Sequence, residues 1–329
     1  MREFIKNKRS FFKSKGITLF SLVFIALFFQ NCIDDDETEF ERRVRLDNEK
    51  IIEYLESNSI EATQDPDGYF FIKTKENSAG KSVRDDDVLS FYYRMNLLNG
   101  DKVDSATATN GGPVKLGFDN TRITLSPTGL YLGISRMKEG ESYRFFIPSY
   151  LAYGSYEYKQ LIPADAIFIV DIELISIEDL DDQEQIEEDL ILAFIEEEEL
   201  EDVENFSSGL FYKSLSAGDG AKARQGDNLK VHYTGMYLDG TVFDKTQANS
   251  PFQFTLGGTS TIAGFEQGMK QMSEGEKAVF IIPSHLAYGE SFQVVPAQIK
   301  DDLVDKDLIR DSIDPFSPLV FEVELVDVN

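Results

Sequence analysis

The stretch "VHYTGMYLDGTVFD", Val231 to Asp244, carries Tyr233, Phe243 and Asp244 on a strand-turn-strand unit closed at Gly240. A carboxylate beside an apolar ring is costly unless it is hydrogen bonded. Asp244 is therefore more informative about a site than any single aromatic residue. The chemistry on offer is hydrogen bonding by a tyrosine and an acid next to apolar surface, not attack by a nucleophile. His232 neighbours Tyr233 on the strand and points to the opposite face, and His285 has no ligand partner close in sequence. Both are read as structural. Two histidines and one cysteine in 329 residues exclude a His-rich metal site and an internal disulfide.

An earlier stretch, "FYYRMNLLNGDKVD" from Phe91 to Asp104, keeps the tyrosine, the turn glycine and the final aspartate, but has Val103 where the later one has Phe243. The duplication continues. "MKEGESYRFFIPSYLAYG" (137–154) matches "MSEGEKAVFIIPSHLAYG" (272–289), and "IFIVDIELISIE" matches "LVFEVELVDVN". Three blocks in one order, about 140 residues apart, mean two whole domains and not a solenoid. The short aromatic and β-branched runs read as strands. A short helical pattern over 264–272 has Phe265, Met269 and Met272 on one apolar stripe. Each copy is thus predicted as α+β, a twisted antiparallel sheet packed on one short helix. Phe254 and Phe280 are expected in its core. A helical, acidic lead-in precedes each copy. The first includes "DNEKIIEYLESNSI", with Asp47 as N-cap, and the second spans "IEDLDDQEQIEEDLILAFIEEEELEDVENF", expected to be a solvated spacer with one face docked. The expected boundaries are 1–32 (signal), 33–64 (lead-in), 65–178 (first domain), 179–206 (acidic linker) and 207–329 (second domain).

The formal net charge is −27. That excludes nucleic-acid binding, which needs a basic footprint. The first sixteen residues hold six Lys/Arg and one acid, followed by an apolar run to Phe29 and then Cys32. A basic start and a short apolar run make an export signal, too short for a spanning helix of about 20 residues. Because the only cysteine closes this run, the segment resembles a bacterial lipoprotein signal with Cys32 as the lipidated residue. It departs from that pattern at Gln30 and Asn31, which are not small. The expectation is a chain held at the cell envelope, outside the cytoplasm, by its N-terminus. The acids after Cys32 resemble surface-export tags. A calcium site has no "DxDxDG" loop behind it.

The repeated blocks resemble the FKBP-type peptidyl-prolyl cis-trans isomerases. The resemblance covers most of 205–329, and over 65–178 it holds in layout only. It implies a small hydrophobic pocket built from Tyr233, Phe243, Asp244, Phe252, Ile262, Phe265, Tyr288 and Phe321, with no cofactor and no metal. It assigns contact with the substrate carbonyl to the Ile262 N–H and the Tyr288 hydroxyl. The family usually has tryptophan where Phe265 stands. The implied partners are proline-containing polypeptides, and a macrolide is a possible ligand of the second domain. The implied reaction is rotation about the X-Pro bond during folding of exported proteins. The contrasting reading is a non-catalytic FKBP-fold binding or chaperone lipoprotein.

Aligned on the second copy, the first replaces Phe243 by Val103, Phe252 by Val114, Phe265 by Leu130, Phe321 by Val170, and Ile262 by Pro127, which has no N–H. Tyr93, Asp104 and Tyr153 remain. The fold is expected to survive there and the pocket to be lost. In the second copy the family's short loop after Gly289 is replaced by "ESFQVVPAQIKDDLVDKDLIRDSIDPFSP", with Ile299, Leu303 and Leu308 near helical spacing. This loop is expected to border the pocket mouth, as a lid, a client-contact surface or a surface decoration.

Overall fold

The computed structural model describes residues 37–310 and 313–329. Cys32 and the signal-like segment lie outside the described residues. The first module comprises α1 (Glu39–Ser57), β1 (Thr63–Gln64), β2 (Phe70–Lys75), β3 (Val88–Leu97), β4 (Lys102–Ala106), β5 (Val114–Gly117), β6 (Leu125–Ser126), α2 (Thr128–Ile134), β7 (Ser142–Ile147) and β8 (Phe168–Glu178). The second comprises α3 (Leu180–Glu197), β9 (Glu204–Asn205), β10 (Phe211–Ser216), β11 (Asn228–Tyr237), β12 (Val242–Lys245), β13 (Phe252–Thr255), α4 (Ala263–Met269), β14 (Lys277–Ile282), β15 (Gln293–Val294), α5 (Lys300–Asp305) and β16 (Leu319–Val328).

Each module holds a seven-stranded antiparallel sheet of the same topology, β1-β2-β7-β8-β3-β4 with β5 on β3, and β9-β10-β14-β16-β11-β12 with β13 on β11. The registers match as well. Tyr93 faces Ile172 across the sheet as Tyr233 faces Val323, and Asp104 pairs with Met95 as Asp244 pairs with Gly235. The short helix lies on one sheet face. Its glycines permit close approach, because a Cβ on Gly133 or Gly268 would sit 2.6–2.7 Å from the ring of Phe145 or Phe280. Phe254 and Phe280 are buried, as expected, with Phe265, Met269 and Met272. The helix itself is shorter than its apolar stripe suggested and ends at Met269.

The lead-in helices pack across the other sheet face. Ile51 and Leu55 of α1 join Phe70, Phe146 and Ile169, and Ile191 of α3 joins Phe211, Ile281 and Val320. Asp47 is not the N-cap that its sequence context suggested. It lies in the middle of α1, fully buried, because the helix begins at Glu39. Its Oδ2 accepts from the Ser149 N–H at 2.9 Å and from the Ser149 hydroxyl at 2.5 Å. Glu187 of α3 does the same for Ser284, at 2.7 Å from each donor. Both serines open the 3-10 turns of the "PSYLAYG" and "PSHLAYG" blocks. A helix acid therefore fixes the turn that leads to Tyr153 in one module and Tyr288 in the other.

Residues 290–310 do not stay on their own module. β15 pairs in parallel with β6 of the first module. Val294, Val295, Ile299 and Leu303 are buried in the apolar cluster of the first module. The Val295–Pro296 and Ser126–Pro127 peptide bonds are cis. Leu308 breaks from the helical spacing and is 60% exposed, since α5 has ended at Asp305.

Truncating either buried helix acid leaves two serine donors without an acceptor, and hydrogen bonds to charged groups contribute about 1.5–3 kcal/mol each. Asp47→Ala and Glu187→Ala should each lower stability by about 2–3 kcal/mol, read as a shift of the urea midpoint. An unchanged midpoint would show that these acids do not hold the turns.

Candidate functional site

The eight residues named from sequence meet in one place. β11 supplies Tyr233, β12 supplies Phe243 and Asp244, β13 Phe252 and β16 Phe321. The start of α4 supplies Ile262 and Phe265, and Tyr288 follows the 3-10 turn Ser284–Leu286. Together with Ser260 and Thr261 they line a cavity of about 230 Å³.

Tyr233 is its hub. Its ring stands 5.9 Å from those of Phe265 and Phe321 and 6.0 Å from that of Phe252, centroid to centroid. Phe265 and Phe321 meet edge to face at 5.3 Å, and Phe243 and Phe321 at 5.7 Å. Edge-to-face contact is favoured by the ring quadrupole, so the rings hold one another while leaving a recess. The Tyr233 hydroxyl donates to Asp244 Oδ2 at 2.5 Å. Burial, and then the Asp244 carboxylate beside it, push the Tyr233 hydroxyl well above its ordinary value, so it stays a proton donor. This bond satisfies the acid that stood beside an apolar ring in the sequence. Ile262 caps α4 with an extended backbone, φ −71° and ψ 153°. Tyr288 is 38% exposed at the rim.

His232 lies outside the cavity, with Nδ1 3.2 Å from the Thr246 hydroxyl, and His285 meets the Ser208 carbonyl at 3.0 Å. No group of three or more His, Cys, Asp or Glu suited to a metal occurs among the described residues. The segment 290–318 was expected at the cavity mouth. It contributes no residue to the lining; Val294, Val295, Ile299 and Leu303 are buried in the first module's cluster, and Ile313 in the core of its own module.

One site determinant escaped the sequence reading. A Cβ on Gly235 would come within 2.7–3.0 Å of the rings of Phe243 and Phe321. The missing side chain is what lets these rings close on the strand. The first copy has Met95 at this register position, fully buried. The signal was visible as "YTG" against "YRM", but its meaning needed the cross-strand partners.

In the first module the corresponding positions stand in the same geometry. Tyr93 donates to Asp104 at 2.5 Å, and Pro127 caps α2 with φ −77° and ψ 149°. The aromatic cage is absent there. Leu130 and Val170 are fully buried, and Val103 nearly so.

The site is thus a ring-lined cup between a twisted antiparallel sheet and one short helix, in a module that the chain carries twice. The model of the FKBP-type peptidyl-prolyl cis-trans isomerase family matches residues 80–175 and 220–326. The chain belongs to that family, in tandem. It is similar to the human peptidyl-prolyl cis-trans isomerase FKBP10, 29% identical over 212 residues that make up 64% of this chain and 32% of that protein. It is also similar to the FKBP-type 22 kDa peptidyl-prolyl cis-trans isomerase of Escherichia coli, 37% identical over 129 residues, 39% of this chain and 54% of that one. The crystal structure of FkpA from Escherichia coli aligns with 45% of this chain and 63% of its own, at 30% identity and a TM-score of 0.34. The chain therefore spans between about a third and just under two thirds of these relatives' lengths.

The cup separates residues of the wall from those of the core. Phe265 is buried against Phe254 and Phe280 as well as the cup. Phe265→Ala should cost the second module about 3–5 kcal/mol, whereas Phe243→Ala at the rim should cost roughly 1 kcal/mol, both read by urea unfolding. Equal costs would mean that the two rings do not divide in this way.

Proposed function

We propose that the second cup isomerises X-Pro peptide bonds and that the first module does not. The single observation that carries this is the cage of phenylalanine rings around the Tyr233 ring, present in the second module and dismantled in the first. Family membership and the names of the relatives support the reaction type.

The barrier to X-Pro rotation, about 18–20 kcal/mol, is lost amide resonance. In the twisted state carbonyl and nitrogen are decoupled and charge separation falls. A dry aromatic recess stabilises that state relative to both planar forms, which is what acceleration requires. The proline ring enters between Tyr233, Phe252, Phe265 and Phe321. The Ile262 N–H and the Tyr288 hydroxyl orient the carbonyl before it. Asp244 keeps the Tyr233 ring in place through its hydroxyl. No nucleophile, metal or cofactor takes part in this scheme.

The clients would be proline-containing segments of exported polypeptides, and the chain would work at the cell envelope, held by a lipid on Cys32. A lipid chain contributes about 0.8 kcal/mol for each buried methylene. The absence of 290–318 residues from the cup favours a second reading, a cup that binds prolyl segments without turning them over.

Proline-peptide isomerisation by the full chain decides between these. Wild type should accelerate the reaction and lose this to a pocket-directed macrolide. Phe243→Ala should lower kcat/KM by roughly ten- to a hundredfold, for a contact worth 1.4–2.7 kcal/mol. Macrolide-sensitive binding without acceleration would establish the second reading instead.

A further inference from the structure

The excursion from the second module is a closed loop with a defined neck. The Ser291 hydroxyl donates to the Ile313 carbonyl at 2.6 Å, and the Phe316 N–H to the Gly289 carbonyl at 2.9 Å. Beyond the neck the chain lies along the first module. The Gln293 N–H donates to the Thr124 carbonyl at 2.8 Å and the Val295 N–H to the Ser126 carbonyl at 2.9 Å. The Tyr153 hydroxyl then donates to the Val295 carbonyl at 2.6 Å. Pro296 follows, buried, and the Gln298 amide donates to Asp104 Oδ1 at 2.9 Å. Val294 and Val295 are each 1% exposed, in the same apolar cluster as Leu130 and Val170.

These contacts have the form of a bound peptide. An extended segment adds to a short strand, main-chain hydrogen bonds hold it, and side chains enter an apolar recess. Tyr153, the counterpart of Tyr288, takes the carbonyl that precedes a proline. Asp104, the counterpart of Asp244, takes a polar side chain two residues beyond it. Pro127 has no N–H to offer, and the donor to the Val295 carbonyl is the Tyr153 hydroxyl. The smaller Val103, Leu130 and Val170 leave room for aliphatic side chains where the other cup has rings.

We propose that the cup of the first module is a prolyl-peptide receptor whose present occupant is the chain's own segment 293–298, and that this occupant keeps it closed to outside peptides. Its ligand class is an extended peptide with β-branched residues before a proline and a hydrogen-bonding side chain two residues after it. The tether explains the closure. A short tether presents its ligand at an effective concentration of order 1 mM, so a free peptide of roughly 100 μM affinity is masked about tenfold. Receptor function of this kind is independent of any catalysis by the second cup.

The test is binding of a labelled peptide with the sequence of residues 293–298 to the full chain, by fluorescence anisotropy. Phe243→Ala is present throughout, to suppress binding at the second cup. The chain with an intact segment should bind weakly. Adding Val295→Gly and Pro296→Gly should raise the affinity roughly tenfold or more, and adding Tyr153→Phe to that chain should reverse most of the gain. Unchanged affinity in a released chain whose amide NMR spectrum stays that of folded modules overturns the proposal. If the glycine pair unfolds the first module, amide exchange in Tyr153→Phe alone decides. The amides of Gln293 and Val295 should then exchange at least about tenfold faster while those of β3 hold, and unchanged protection at both overturns it.

Discussion

An apolar cup on a protein surface has to be covered, and the two modules of this chain cover the same cup in two ways. In the second, aromatic rings lean on one another around Tyr233 and screen each other's edges, which leaves a recess of about 230 Å³. In the first the four phenylalanines are replaced by Val103, Val114, Leu130 and Val170, Met95 fills the register position left empty by Gly235, and a segment of the other module lies over the rest. Burying aliphatic side chains from water stabilises by about 25 cal/mol per Å². Val294, Val295, Ile299 and Leu303 therefore contribute both to the first module's core and to the link between modules. The open cup and the filled one follow from a handful of side-chain exchanges on one sheet topology, together with the segment that the second module lays on the first.

What does not change between the copies is the scaffold that aims the rim tyrosines. A buried helix carboxylate, Asp47 or Glu187, receives both donors of a serine at the start of a 3-10 turn, and Tyr153 or Tyr288 follows that turn. The Tyr93–Asp104 and Tyr233–Asp244 pairs are likewise kept at 2.5 Å. The Tyr–Asp pair and the serine–acid anchor thus persist in the first module, while the phenylalanine walls do not.

The repeated blocks made the sheets, the short helix and the cup residues legible in the sequence, because strand alternation and the Tyr–Phe–Asp turn are local patterns. Asp47 shows the limit of such local patterns. An acid ahead of an apolar run has the form of an N-cap, and only its partner Ser149, about a hundred residues on, reveals it as a buried acceptor in mid-helix. The role of Gly235 is not legible in sequence, since it is defined by the rings of Phe243 and Phe321 on neighbouring strands. The apolar spacing of Ile299 and Leu303 was visible, but spacing tells which residues are buried and not which module buries them. Leu308 shared the spacing and is exposed.

The central claim is that each chain offers one open cup, that of the second module. Titration of the full chain with a pocket-directed macrolide, by calorimetry together with amide NMR, tests it most directly. One macrolide should bind per chain, with shifts at Ile262 and Tyr288 and none at Tyr153. Two macrolides per chain, or shifts centred on Tyr153, would contradict it.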